Sequence, residues 1–330
     1  MGFDRIFGQE RAISLLQRAL AVDRFPPALL FTGPPGVGKA LAARMLAQAL
    51  ECRDRPAEGC GTCPACRRIH TGTHPDVTLV EPEGTSIKID QIRSLIAEAA
   101  LKPYEGSRRV FIVDQAEALT VEAQSALLKT LEEPPPSLVL ILVTWQAGTL
   151  LPTVVSRCYE VRFAPLPPAV IAEVLARDHG FPEPEARVAA LLGNGSLSRS
   201  LTHASESFRA ARQRAVDAFA LVTGGQTAEL LDLAKEAGGE REPARLFLDA
   251  LFALCRDLVV ATVSHRPELL VERAAQERVR KTAAAHGLHR LLIMARWVSE
   301  ARTGLERNLN PRLLIEGTLL RCAQLAGASR

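Results

Sequence analysis

The chain has 330 residues, enough for two or three domains, and 47% of them are hydrophobic, which excludes extensive disorder. Aromatic residues make up only 5%, whereas Ala, Leu and Arg are plentiful, a composition that favours helices. The net charge of +3 is too small to indicate nucleic-acid binding by itself.

No apolar segment typical of a signal peptide occurs near Met1, and the longest apolar run, Leu138–Val143, is far too short to cross a bilayer. We therefore expect a cytoplasmic protein that has no membrane partner. Because disulfides are rare in that compartment, clustered cysteines indicate a metal site.

Residues 1–163 alternate short apolar runs with helical patterns, which predicts a parallel α/β sheet flanked by helices. A further strand is expected after Cys158. The other predicted strands are Ala28–Thr32, Val77–Val80, Val110–Val113 and Leu138–Thr144, and the clearest helices are Lys39–Leu50 and Leu119–Leu131.

The strand pattern ends near Pro165, Pro167 and Pro168, which mark a boundary. The sequence then predicts short helices in 164–205 and a helical domain in 206–330. Helical periodicity in that last domain is clearest in Ala244–Val260, His289–Ala301 and Arg312–Ala323.

A glycine-rich loop, Gly33–Ala40, meets the phosphate-binding pattern G-x-x-x-x-G-K-[ST] except at its last position. Its backbone N–H groups can hold phosphates, but Ala40 replaces the hydroxyl that would bind Mg²⁺. The alternative is a degenerate loop kept for its shape alone. The candidate nucleotide contacts of this P-loop are Gly33, Pro34, Pro35, Gly36, Val37, Gly38, Lys39 and Ala40.

A carboxylate, Asp114, follows the strand Val110–Val113, where P-loop proteins hold Mg²⁺; alternatively it caps a turn. The next residue is often a Glu that polarises the attacking water, but here it is Gln115, whose amide cannot act as a general base. Ala40 and Gln115 weaken the same reaction independently. We therefore expect that hydrolysis does not occur here, whether or not a nucleotide binds.

Four cysteines, Cys52, Cys60, Cys63 and Cys66, have the spacing C-x₇-C-x₂-C-x₂-C. Four thiolates complete a closed tetrahedral Zn²⁺ site, so we predict a structural zinc module in 51–70. The alternatives are four unpaired thiols or a redox C-x-x-C pair.

Several segments resemble the AAA+ family of bacterial DNA polymerase III clamp loaders, and the similarity covers nearly the whole chain. The segments are Phe3–Gln9, Ile87–Arg93, Ala126–Pro135, Ser156–Cys158, Gly195–Arg199 and Gly304–Pro311. The resemblance implies an AAA+ α/β domain at 1–163, a helical lid at 164–205 and a helical collar at 206–330 that joins subunits in a ring.

The resemblance also implies roles for single residues. Ser156-Arg157-Cys158 matches a family motif in which the Arg is a finger offered to the ATP of the next subunit, whereas residue type alone favours an ordinary surface Arg. Thr144 falls at the family's sensor 1 position. Arg199 falls in the sensor 2 segment and is a candidate phosphate contact.

Motor subunits of this family, gamma and tau, keep the P-loop hydroxyl and an Asp-Glu pair. Ala40 and Asp114-Gln115 therefore favour the non-motor delta-prime branch. The implied function is to join gamma/tau and delta subunits in a heteropentameric ring that loads the sliding clamp onto primed DNA, using ATP, within the polymerase holoenzyme. Little or no ATPase activity is expected of the chain alone, with ATP or ADP binding left open.

Two other functions stay open from the sequence. One is an active motor subunit of the same loader, which would have to hold Mg²⁺ without a hydroxyl at Ala40. The other is a zinc-dependent nucleic-acid-binding scaffold built on the AAA+ fold, although no aromatic residue lies among the arginines near the cysteines to support base stacking.

Overall fold

The computed structural model describes residues 2–21, 25–264, 270, 287–307 and 309–327. These residues form two compact units, the first within 1–171 and 194–198 and the second within 172–193 and 199–330. The three-domain division at 163 and 205 stays a prediction. Asn308, part of the collar segment noted above, lies outside the described residues.

The first unit is built on a sheet of five parallel strands in the order β2-β3-β4-β1-β5. The strands are β1 Ala28–Thr32, β2 Val77–Val80, β3 Arg109–Val113, β4 Leu138–Thr144 and β5 Tyr159–Arg162. All seven residues of β4 are buried, as expected of a parallel strand covered on both faces. The predicted strands are confirmed, with β3 beginning one residue earlier.

Helices cover both faces of this sheet. They are α1 Glu10–Ala21, α2 Lys39–Glu51, α3 Pro64–Thr71, α4 Ile89–Ala99, α5 Val121–Glu132 and α6 Pro152–Val155. Successive strand residues point to opposite faces, so Phe31 packs in a core with Leu46 of α2, while Leu30 packs in a second core with Leu127 of α5. The α/β fold class predicted from the sequence is confirmed.

Beyond Arg162, the described residues contain helices and no strand. The helices are α7 Pro168–His179, α8 Glu183–Leu192, α9 Leu197–His203, α10 Glu206–Gly224, α11 Thr227–Ala237, α12 Arg241–Val263, α13 Leu288–Glu306 and α14 Pro311–Gly327. The core of the second unit includes Phe208, Phe247, Leu291 and Ile315, one each from α10, α12, α13 and α14.

Because the strands are parallel, the sheet has a carboxyl edge, where all five strands end, and an amino edge, where they begin. Ligands of open parallel sheets bind outside the carboxyl ends. Thr32 is level with Thr144 in β4 and with Arg162 in β5, and the P-loop follows Thr32 directly. The P-loop therefore lies at the carboxyl edge.

Candidate functional site

The P-loop connects β1 to α2 through three glycines in unusual backbone conformations. Gly33, Gly36 and Gly38 have φ values of 141°, 71° and 100°, which favour glycine. A side chain at Gly33 would also overlap the carbonyl oxygen of Phe163. Gly38 is the N-cap of α2, so the positive end of that helix faces the loop. The loop thus has the backbone shape of an anion site.

Lys39 is nearly buried and folds back over the loop. Its Nζ donates to the carbonyl oxygens of Gly33 and Pro34, both at 2.6 Å. Burial lowers the pKa of Lys39 below its usual value, while the nearby carboxylates of Glu117 and Asp114 act in the opposite direction. The ammonium group therefore bonds to the loop, and two acidic side chains partly offset the effect of its burial.

Two segments distant in the sequence hold the P-loop in place. The N–H of Leu197 donates to the Gly36 carbonyl at 2.9 Å. The buried Gln9 amide donates to the carbonyl oxygens of Val37 and Ala164, and its Oε1 accepts from the Ala164 N–H. The N-terminal segment and the segment before Arg199 are thus both part of the loop's surroundings in the first unit.

Asp114 and Thr144 end neighbouring strands at the carboxyl edge, as the sequence predicts. Thr144 is 1% exposed, and its Oγ1 donates to Glu117 Oε2 at 2.8 Å. Gln115 follows Asp114 with a left-handed φ of 54° and an exposed side chain. The carboxylate that accepts from Thr144 is therefore supplied by Glu117, three positions after Asp114, and both carboxylates act on Lys39.

Two positions at this edge do not hold the groups that nucleotide hydrolysis usually uses there. Ala40, the second residue of α2, presents a methyl group where a hydroxyl would bind Mg²⁺. Gln115 cannot accept a proton from water. The arrangement is suited to holding phosphates and poorly suited to activating water against them.

Arg157 lies at the amino edge of the sheet, away from the P-loop. It precedes Tyr159, which is level with Leu29 at the beginning of β1. Thr32 lies about 10 Å further along β1, at about 3.3 Å per residue, and the P-loop begins only after it. Arg157 is exposed and is bonded to Glu132 and Thr153 at this edge, so it cannot contact a nucleotide in its own P-loop.

Arg199 lies in α9 and lines a cavity of about 80 Å³ in the second unit. Arg241, Arg245 and Arg302 line the same cavity. Among the described lining residues, the acidic one is Asp249, which bonds to Arg302 at 2.7 Å. The phosphate contact expected of Arg199 stays a prediction, and the cavity places it in a strongly positive environment.

The four cysteines are buried and gather into one cluster. Their Sγ atoms all lie within 4.8 Å of one another, with Cys52 and Cys63 at 3.9 Å and Cys60 and Cys66 at 4.0 Å. A tetrahedral Zn²⁺ with Zn–S bonds of about 2.3 Å places its sulfurs about 3.8 Å apart. The cluster is therefore positioned to bind a metal ion, and its dimensions fit zinc.

Backbone N–H groups surround these sulfurs, as expected of thiolate ligands. Cys52 Sγ accepts from the Cys60 N–H, Cys60 Sγ from the Cys63 N–H, and Cys63 Sγ from the Cys66 N–H, at 3.2–3.4 Å. Such outer-shell donors orient ligands and stabilise their charge. Gln48 of α2 donates to the Cys66 carbonyl, which ties the cluster to the helix that follows the P-loop.

Comparisons with known proteins decide the family. A family model described as "DNA polymerase III, delta subunit" matches residues 8–167. The DNA polymerase III subunit delta' of Bacillus subtilis is 30% identical over 315 residues, which cover 94% of this chain and 95% of its own. The chain belongs to the DNA polymerase III delta-prime family. The subunit delta' of Pseudomonas aeruginosa is 33% identical over 310 residues, which cover 91% and 92% of the two chains.

Membership of the delta-prime family confirms the resemblance inferred from the sequence motifs. A solved structure of a DNA polymerase III gamma subunit-related protein from Thermotoga maritima aligns over 96% of this chain and 99% of its own. Its sequence identity is 17% and the TM-score is 0.47. No helix among the described residues of this delta-prime family member has the length and apolar character needed to span a membrane.

Two residues for which no role is predicted from the sequence lie in contact with candidate site residues. Glu117 contacts Thr144, and Glu132 contacts Arg157. Glu117 lies three residues after Asp114, and that spacing alone does not indicate that it reaches Thr144. Glu132 lies within the clamp-loader segment Ala126–Pro135, but nothing in that segment indicates an ion pair with a residue 25 positions away.

Proposed function

We propose that this chain is the non-motor, stator-like subunit of a DNA polymerase III clamp loader in the cytoplasm. It joins gamma/tau and delta subunits in a heteropentameric ring and assists the ATP-dependent loading of the sliding clamp onto primed DNA. Its own contribution to the chemistry is the Arg157 guanidinium, offered to ATP held by a neighbouring motor subunit.

The main support for this proposal is the position of Arg157. It lies at the amino edge of the sheet, whereas the P-loop of the same chain lies at the carboxyl edge. An exposed Arg in that position can neutralise charge on a phosphoryl group only if another molecule brings the group to it. Such fingers typically increase the rate of phosphoryl transfer by about 10³–10⁵.

The P-loop supports the other half of the proposal, in which this chain holds ATP or ADP without hydrolysing it. Its glycine conformations and Lys39 are suited to phosphate. Ala40 and Gln115 remove the Mg²⁺ ligand and the base. The pocket then acts as a fixed structural element of the ring.

The test compares loaders reconstituted with wild-type chain, Arg157→Ala and Arg162→Ala. Arg162 is an exposed Arg at the other end of β5, paired with Glu160, so it controls for the loss of an Arg from the same strand. We expect Arg157→Ala to slow hydrolysis at one neighbouring site by about 10³ or more, with ring assembly intact. Equal ATPase rates for all three loaders would exclude the finger.

One observation favours the rival function of an active motor. Glu117 places a carboxylate against Thr144 and near Lys39, at the edge where a general base would act. Steady-state ATP turnover by the purified chain distinguishes the two functions. We expect no turnover above that of a Lys39→Ala variant, since a contaminating ATPase would be present equally in both preparations.

We propose further that the metal of the cysteine cluster is Zn²⁺ in a structural role. All four ligands come from the chain, so no position is left for a substrate. Elemental analysis should find one zinc per chain, and Cys66→Ser should release it and lower the melting temperature. Cys255→Ser, which changes a buried cysteine of the second unit, should leave the zinc content unchanged.

A further inference from the structure

The guanidinium of Arg157 is held by two separate elements of the first unit. One Nη donates to the Thr153 carbonyl oxygen of α6 at 3.0 Å. The other Nη donates to Oε1 of Glu132, the last residue of α5, at 2.7 Å. Among the described residues, no hydrogen bond is made by Nε of Arg157, so a donor is left for an incoming phosphate.

We propose that Glu132 is a positioning residue for the Arg157 finger. This inference rests on the proposed function, because it assigns a role only if Arg157 acts on the ATP of a neighbour. Glu132 and the Thr153 carbonyl fix two guanidinium nitrogens and thereby orient the third before a neighbouring subunit docks. A side chain that is already oriented loses less conformational freedom when it engages the phosphate.

The exposure and location of the Arg157–Glu132 ion pair favour a role in positioning Arg157 over a role in stabilising the fold. The Arg157 and Glu132 side chains are 35% and 52% exposed, and ion pairs that exposed contribute little to stability. A carboxylate at the C-terminal end of a helix also opposes the helix dipole, so Glu132 does not stabilise α5 by itself. Its removal should therefore leave the chain folded.

Glu133 provides a matched control, because it is the next residue, is also an exposed glutamate and carries the same charge. Loaders are reconstituted with Glu132→Ala, Glu132→Gln, Glu133→Ala, Arg157→Ala and the double variant Glu132→Ala/Arg157→Ala. Maximal ATPase rate, KM for ATP and melting temperature are measured for each.

We expect Glu132→Ala to slow hydrolysis at the neighbouring site roughly tenfold with little change in KM or melting temperature, because the finger is misaligned in the transition state. Glu132→Gln keeps an oxygen acceptor and should recover much of the rate. Glu133→Ala should behave as wild type. The double variant should be no slower than Arg157→Ala alone, since Glu132 acts only through Arg157.

The outcomes distinguish a failure of the positioning role of Glu132 from a failure of the Arg157 finger itself. If Arg157→Ala is slow and Glu132→Ala runs at the wild-type rate, the positioning role is wrong and the finger stands. If both run at the wild-type rate, the proposed function itself fails. A loader that is faster with Glu132→Ala would mean that Glu132 withholds the finger, which also contradicts positioning.

Discussion

The two edges of the sheet in the first unit differ in what they hold and in what they lack. At the carboxyl edge lie the P-loop, with a backbone shape suited to phosphates, and the side chains of Lys39 and Thr144, without a hydroxyl at Ala40. At the amino edge Arg157 is an exposed cation that pairs with Glu132. Under the proposed function, this chain would hold a nucleotide at one edge and act on a neighbour's nucleotide at the other.

At the amino edge, the largest effect is expected from Arg157→Lys, which keeps the positive charge but loses the planar guanidinium group. Lys is a point charge that cannot make paired hydrogen bonds to a phosphoryl group. We expect reconstituted loaders to lose most of the finger's contribution, on the order of tenfold or more in the hydrolysis rate at the neighbouring site. A wild-type rate with Lys would mean that only charge matters there.

At the carboxyl edge, Ala40→Thr should make nucleotide binding depend on Mg²⁺. The wild-type chain should bind ATP with the same Kd in Mg²⁺ and in EDTA, because it lacks the hydroxyl ligand. The variant should bind roughly tenfold more tightly in Mg²⁺ than in EDTA, as measured by titration calorimetry.

Ala40→Ser tests whether the hydroxyl or the added methyl group of Thr is responsible, since both residues supply the oxygen. Ala40→Val, which fills the same space as Thr without an oxygen, is the steric control. A strong Mg²⁺ dependence already present in the wild-type chain would show that other groups hold the ion.

A smaller effect is expected from Glu117→Gln. Its carboxylate lies near Lys39 and accepts from Thr144, so it repels phosphates bound in the P-loop. Removing the charge should tighten ATP binding by about two- to fivefold, which is typical of a single partly solvated charge. Glu122→Gln, an exposed position on α5, should leave the Kd unchanged.

If Glu117→Gln weakens binding instead, the carboxylate serves the pocket through Thr144 rather than opposing the phosphates. The two effects are separable, because Thr144→Val removes the hydrogen bond and leaves the charge. We expect Thr144→Val to change ATP affinity less than Glu117→Gln does.

The sequence predicted the elements of the first unit well, because buried parallel strands such as Leu138–Thr144 are continuous apolar runs and glycine loops have strict spacing. It also predicted the cysteine cluster, since all four ligands lie within 15 residues of one another. Local patterns were sufficient in each case.

Contacts between distant elements could not be read from the sequence. Glu117 reaches Thr144 because β3 and β4 pair in a particular register and a short turn, Ala116–Ala118, follows β3. Glu132 reaches Arg157 because α5 ends at the amino edge beside the loop that precedes β5. Both contacts depend on tertiary packing, which residue spacing does not encode.

One measurement tests most directly whether this chain binds nucleotide in its own P-loop but contributes to hydrolysis only in a neighbouring subunit. It is the ATPase rate of loaders reconstituted with Lys39→Ala and with Arg157→Ala in this chain alone. We predict that Lys39→Ala stays within about twofold of wild type, because this chain's own pocket does no hydrolysis, whereas Arg157→Ala is slow. A loader slowed by Lys39→Ala as much as by Arg157→Ala, or slowed by Lys39→Ala alone, would contradict the account.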